Sequence, residues 1–182
     1  MNCIRQCVEL LVLPCTVELS AGIREVPPGT ADYARRLLRL FRSLLIAGAA
    51  QRALDLTVAY ANERVTWGRP LARNQAIQFP LAELQTECEM VRNLVYKTAW
   101  HLDQQHHMEV SDKVSMCNYR ANRLAVNAAD TAIQVHGGIG YTRHKPFEHI
   151  YRHHRRYRIT EGSDEIQIRR VAAIMFGRRA KK

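Results

Sequence analysis

No apolar run in this chain approaches the roughly 20 residues that a membrane-crossing helix needs. The N-terminal stretch Leu10-Leu11-Val12-Leu13 is bracketed by Glu9 and Pro14 and leads to no evident cleavage site, so it makes a poor secretory signal. Strand-type alternation is missing, and so is any internal repeat, which removes sheet-built and solenoid architectures. The 5 cysteines are Cys3, Cys7, Cys15, Cys88 and Cys117. The first three lack a zinc-site spacing and have no histidine near them. An odd count suits a reducing compartment better than a disulfide framework. Acids are also scarce, 17 against 27 Lys and Arg, which leaves a formal charge of +10. Much of that excess lies between Arg143 and Arg158 and in the terminal Arg178-Arg179-Ala180-Lys181-Lys182. Nucleic acid is the obvious partner for such a chain, yet no helix-turn-helix, zinc-finger or RNA-binding signature occurs. A solvated basic face, or one that meets an acidic partner or a phosphorylated cofactor, fits better. His149, His153 and His154 have the i, i+4 spacing of a metal pair but no acidic or cysteine ligand beside them, so no metal is expected.

What is present is helical periodicity. At 182 residues and 47% hydrophobic, the chain is one domain with a real core. Residues 1–35 show mixed patterning around Val26-Pro27-Pro28-Gly29 and are set apart as an N-terminal segment, disordered or non-homologous. Residues 36–182 form the body. Leu37, Leu40, Phe41, Leu44 and Leu45 begin a helix expected to end near Trp67-Gly68-Arg69-Pro70. Ile77, Leu81, Leu84, Cys88, Val91, Val95, Thr98 and Leu102 mark a second, with Pro80 read as lying in its first turn. Val114, Cys117, Ala121, Leu124, Ala125, Ala128, Thr131 and Val135 mark a third, which stops at Gly137-Gly138. A short helix over 147–157 and a last one from Asp164 to about Phe176 complete an all-α, antiparallel up-down bundle.

The most informative residues are Ile159-Thr160-Glu161-Gly162-Ser163-Asp164-Glu165-Ile166. Ser163 reads as an N-cap and Asp164 and Glu165 as first-turn acids, which suit the helix dipole. Glu161 then sits outside the helix, on a glycine turn that can be aimed into a cleft, as a general base must be. The plainer reading is an acid that decorates a helix start.

Two further blocks are in register with this one. They are Gln134-Val135-His136-Gly137-Gly138-Ile139-Gly140-Tyr141-Thr142, and Tyr60-Ala61-Asn62-Glu63-Arg64-Val65-Thr66-Trp67-Gly68-Arg69-Pro70-Leu71 followed by Asn74-Gln75-Ala76-Ile77. Together the three resemble the C-terminal helical domain of acyl-CoA dehydrogenases, from about Ala47 to the C-terminus. The resemblance implies a flavoprotein that takes an α-proton from an acyl-CoA thioester while the β-hydrogen leaves as hydride to FAD. It implies that Glu161 is the base, that Gly162 lets substrate and flavin approach the backbone, and that Ser163 and Glu165 lie against FAD. It places Arg64 on FAD phosphate across a subunit interface, beside Thr66 and Trp67, with Gln75 near the adenine end. Gln134, Gly137 and Gly138 pass the cofactor of the partner subunit, and Arg39 takes a substrate-arginine position nine residues before Gly48. Without the resemblance, Arg64 reads as a surface ion pair, Gln134 to Gly138 as a helix C-cap and Ser163 as an N-cap only.

The resemblance further implies a homodimer or homotetramer and an electron-transfer flavoprotein as electron acceptor. The compartment would be the cytoplasm of a bacterium or the mitochondrial matrix of a eukaryote. Family enzymes carry a helical domain and a β-domain before this bundle, for which 182 residues leave no room. The expectation is therefore a truncated product or orphan domain, active only if a partner supplies the rest. The alternative is a non-catalytic helical module for oligomerisation or partner binding.

Overall fold

A computed structural model describes residues 30–160 and 162–177. Glu161, the first 29 residues and the basic C-terminal tail from Arg178 lie outside the described residues, and with them Cys3, Cys7 and Cys15. Five α-helices make up the described chain: α1 (Thr30–Glu63), α2 (Gln75–Gln104), α3 (Ser111–His136), α4 (Phe147–Arg155) and α5 (Asp164–Met175). The bundle is all-α, as the periodicity predicts. α1 is 34 residues, about 50 Å at 1.5 Å per residue, and it runs without a break across position 36.

α3 is the central element and packs against α1, α2, α4 and α5. Small residues allow this. Ala47, Ala50 and Ala53 of α1 and Ala121, Ala125, Ala128 and Ala132 of α3 are buried in one cluster, so the two backbones approach closely, with Leu54, Leu124 and Phe147 filling the remaining space. A second cluster, Leu37, Leu40, Val95, Leu102, Val110 and Val114, holds the other end. Cys88 and Cys117 are buried free thiols within these faces, and burial pushes each up to about 11.

Two boundaries differ from the sequence reading. α1 stops at Glu63, ahead of Trp67, because Val65–Thr66 (β1) and Arg69–Pro70 (β2) close a small antiparallel hairpin, with Val65 opposite Pro70 and Thr66 opposite Arg69. Its two central residues, Trp67 and Gly68, both have positive φ, 54° and 77°, the signature of a type I′ turn. Pro80 lies in the sixth position of α2, inside the helix, and not in its first turn. Asn74 moves the start upstream by accepting from the Ala76 N–H at 3.0 Å. Pro80 is exposed, so the Ala76 carbonyl that its missing N–H leaves open faces solvent.

Candidate active site

Described site residues fall into two clusters at two levels of α3. The first gathers where α1 and α3 end. Tyr60 stacks on His136 at 4.1 Å between ring centroids, and the Tyr60 hydroxyl lies 3.5 Å from the His136 carbonyl. His136 is buried, Nδ1–H donates to the Ala132 carbonyl at 2.8 Å, and Phe147 packs on its other side at 4.5 Å. Burial lowers its pKa, against the hydrogen bond to Ala132, so the ring is a neutral spacer. This one imidazole ties the end of α1 to the glycine turn. Gly137, with φ 65°, closes α3, and Gly140 sits so close beneath that an added Cβ would meet the Ile133 carbonyl and His136 Cβ at 2.8 Å.

Arg64, Thr66 and Trp67 therefore lie at the same end of the bundle as Gln134, Gly137 and Gly138. All are exposed except Thr66, which is half-buried, and Trp67 is 99% exposed in a left-handed conformation. A fully solvated indole held in a backbone state that costs about 1–2 kcal/mol is unusual without a function. Arg64 makes no ion pair among the described residues. Gly137 and Gly138 have open space where a side chain would be. Gln75 is exposed in the first turn of α2, just beyond this hairpin. A guanidinium with no ion pair among the described residues, an exposed aromatic face and bare backbone form a donor set that fits the phosphates and adenine of FAD.

The second cluster is the turn before α5. Asp164 is 3% exposed, and one carboxylate oxygen accepts from both Arg123 Nε and Arg158 Nε at 2.9 Å. Arg158 precedes position 161, on the near side, and Asp164 follows it, on the far side, and this ion pair joins the two flanks ahead of α5. The near side is also held by Asn122 Nδ2, which donates to the Tyr157 carbonyl at 3.1 Å. The far side is held by Gln167 Nε2, which donates to the Gly162 carbonyl at 3.2 Å. Gly162 has φ 96°, and a Cβ there would meet Gln167 Nε2 at 2.9 Å, so the turn requires glycine.

Ser163 stands at the N-cap position but makes no capping bond, in contrast to the sequence reading. Its hydroxyl instead hydrogen-bonds the exposed Glu165 carboxylate, which lowers the Glu165 pKa. Arg39 is half-buried on α1, three residues before Arg42, whose guanidinium sits 5.1 Å from the Tyr157 ring. Glu161 lies outside the described residues.

The clusters are not continuous within one chain. Arg123 and His136 are separated by 13 positions of α3, roughly 20 Å along its axis. His136, Tyr60, Asn122, Arg123 and Arg158 escaped the sequence reading. Only Arg123 carried a signal, as a charge between buried Asn122 and Leu124. Among the described residues no group of three His, Cys, Asp or Glu side chains could hold a metal ion. His149 and His153 stack on each other at 5.8 Å.

Comparison with known proteins bears on this geometry. The family model for the acyl-CoA dehydrogenase C-terminal domain matches residues 31–176. The chain is 37% identical over 140 residues to the probable acyl-CoA dehydrogenase FadE2 of Mycobacterium tuberculosis, covering 77% of this chain and 34% of the relative. It is 35% identical over 120 residues to the caffeyl-CoA reductase-Etf complex subunit CarC of Acetobacterium woodii, covering 66% and 31%. The glutaryl-coenzyme A dehydrogenase glutaryl-CoA complex superposes with a TM-score of 0.75 at 29% identity, covering 82% of this chain and 38% of that one. The chain thus spans about a third of the length of these relatives. Over nearly all its described residues, it belongs to the acyl-CoA dehydrogenase family, as that family's C-terminal helical domain.

Proposed function

We propose that this chain supplies the flavin- and thioester-facing helical domain of an acyl-CoA dehydrogenase, with Glu161 as the α-proton base. The observation that carries the reading is the turn around position 161, closed by the Arg158–Asp164–Arg123 ion pairs and passing through a glycine with φ 96°. Flanks tied in this way, with a glycine next to position 161, suit a base that a substrate must approach closely along the backbone. The α-hydrogen of a thioester is weakly acidic, so the base has to be close and desolvated, with hydrogen-bond donors on the thioester oxygen where enolate charge develops. A backbone N–H of the same turn is one such donor. The dipole of α5 lowers the pKa of a carboxylate placed there, and burial under substrate raises it. We take desolvation to dominate in the complex. FAD, when bound, would supply the hydride acceptor for the β-hydrogen, and Glu161 would take the α-proton. Arg64, Thr66, Trp67, Gln75, Gln134, Gly137 and Gly138 hold the phosphate and adenine end of a flavin from a second subunit. Gly162, Ser163 and Arg39 face the reacting end.

Electrons then pass to an electron-transfer flavoprotein, in keeping with a relative named for its Etf complex. The compartment is the bacterial cytoplasm or, in a eukaryote, the mitochondrial matrix. Titration of the purified chain with FAD, followed by flavin fluorescence together with solution mass, tests the cofactor half. Saturable binding by an oligomer is expected, and a well-folded chain that never binds flavin refutes it for this chain alone. In an enzyme reconstituted with the two preceding domains of a relative, Glu161→Gln should abolish acyl-CoA oxidation while FAD stays bound. Near-normal turnover by that variant would sink the assignment of the base.

A further inference from the structure

Lys145 stands at the end of the bundle that carries Arg64 and has no part in the reading above. Its place is fixed from two sides. Its backbone N–H donates to the Thr142 carbonyl at 3.3 Å, just past the glycine turn. Two residues further on, the fully buried Phe147 packs on His136 at 4.5 Å, and His136 stacks on Tyr60. The Lys145 ammonium lies over that same Tyr60 ring, 5.9 Å from its centroid. Arg64 is one turn beyond Tyr60, and its backbone N–H donates to the Tyr60 carbonyl at 2.8 Å. Residues four apart share a helix face, so the loop carries Lys145 onto the face that ends in Arg64. Lys145 is half-buried and makes no ion pair among the described residues. Glu63, exposed at the end of α1, pairs with neither cation. A ring attracts an ammonium through its quadrupole and takes up none of its N–H groups in a strong hydrogen bond, so the donors of Lys145 stay available.

We propose that Lys145 is a further phosphate-binding residue of the flavin site, and that it and Arg64 hold the two phosphates of the FAD pyrophosphate. The proposal rests on the flavin reading above and extends it to a loop residue. A pyrophosphate diester carries one negative charge on each phosphate, so two cations match it. They divide the work by shape: the planar guanidinium fork suits a bidentate contact, and the compact ammonium suits a point charge that turns its donors to the second phosphate. Contact with Tyr60 holds the lysine near its working position before the ligand arrives, which lowers the entropy cost of ordering a long side chain.

The test titrates the full chain and its Lys145→Ala and Lys145→Arg variants at constant ionic strength with three probes. These are FAD, inorganic pyrophosphate, and riboflavin, which has the ring system and no phosphate. Lys145→Ala should weaken FAD and pyrophosphate about tenfold, the loss expected for one charge-assisted hydrogen bond, and leave riboflavin unchanged. Lys145→Arg should restore most of the loss. Urea unfolding of Lys145→Ala should stay within the range of ordinary surface substitutions, so that lost affinity is not lost fold. An FAD affinity unchanged in the folded Lys145→Ala chain overturns the proposal and leaves the flavin reading standing. An equal loss for riboflavin also overturns it, since the lysine would then act on the shape of the site. Pyrophosphate held through Lys145 by a chain that takes no FAD keeps the phosphate contact and removes the flavin reading, and a chain that binds neither overturns both.

Discussion

Asp164→Asn is the sharpest probe of how the candidate turn is held. The native carboxylate is 3% exposed and one oxygen accepts from two arginines at 2.9 Å. The amide has the same shape but no charge: its oxygen can still accept from both guanidiniums, with the NH2 group in the place of the unpartnered Oδ1, so what is lost is the ionic part of both contacts. A hydrogen bond to a charged group is worth roughly 1.5–3 kcal/mol. Arg123 and Arg158 are 34% and 29% exposed at the side chain, so water recovers part of what each loses. The expected loss is about 2–3 kcal/mol, less than a fully buried pair would show. Urea unfolding should report it as a lower midpoint at unchanged slope, and thermal unfolding as a fall of about 4–12 °C for a chain of this size. Glu165→Gln, at the next and fully exposed position, is the control and should move the midpoint far less. A change below about 0.5 kcal/mol in Asp164→Asn, the range of ordinary surface substitutions, would refute the clamp.

Other outcomes follow from the same geometry. Trp67→Gly should stabilise the isolated chain by about 1 kcal/mol by relieving the left-handed backbone, yet weaken flavin retention. Loss of stability, or flavin affinity equal to the parent's, contradicts the role given to the indole. Gly140→Ala pushes a methyl to 2.8 Å from the Ile133 carbonyl and His136 Cβ, and should cost about 1–3 kcal/mol in urea unfolding. A neutral result would mean that the glycine turn is not locked to α3. Burial holds His154 at about 4, below its ordinary 6.5, so the unfolded chain takes up a proton there that the folded chain refuses. The stability from that neutral ring is complete above the unfolded pKa and fades as pH falls from about 6.5 towards 4, by roughly 1–2 kcal/mol once solvent screening of the half-buried ring is discounted. His154→Gln should flatten the slope of stability against pH in that window, and an unchanged slope excludes His154 as its source.

Helices were legible in the sequence because apolar spacing reports the buried face directly. Leu81, Leu84, Cys88, Val91 and Val95, all read as one stripe, are all buried. The hairpin at 65–70 was not legible, since two-residue strands leave no alternation to detect and its turn places a tryptophan where glycine or asparagine is usual. Gly137 and Gly162 were legible as turn residues, and both have positive φ. The partners that fix those turns were not. His136 pairs with Tyr60 across 76 positions, and Arg123 with Asp164 across 41. A single sequence carries no signal for such pairs beyond the charge or ring itself. Ser163 illustrates the same limit. Its position fits an N-cap, but which acceptor its hydroxyl chooses depends on where Glu165 points.

The division between buried and exposed groups separates shape from chemistry in this domain. Asn122 and Asp164 are buried, and Arg123 and Arg158 are paired to Asp164, so the turn is held entirely by groups of this chain. Arg64, Trp67, Gln75, Gln134, Gly137 and Gly138 are exposed and, on the bundle surface, stabilise little. Substitutions in the first set should therefore lower the unfolding midpoint, and with it any activity. Substitutions of Arg64, Gln75 or Gln134, which unlike Trp67 and Gly137 do not have a left-handed backbone, should leave the midpoint nearly unchanged and act only on the cofactor. An arginine or tryptophan that contributes nothing to the fold, yet stands solvated beside open backbone, is most simply explained by a ligand that arrives from outside the chain. Since the clusters stand roughly 20 Å apart along α3, no single group of that ligand touches both, and the two sets of residues act on different parts of what binds.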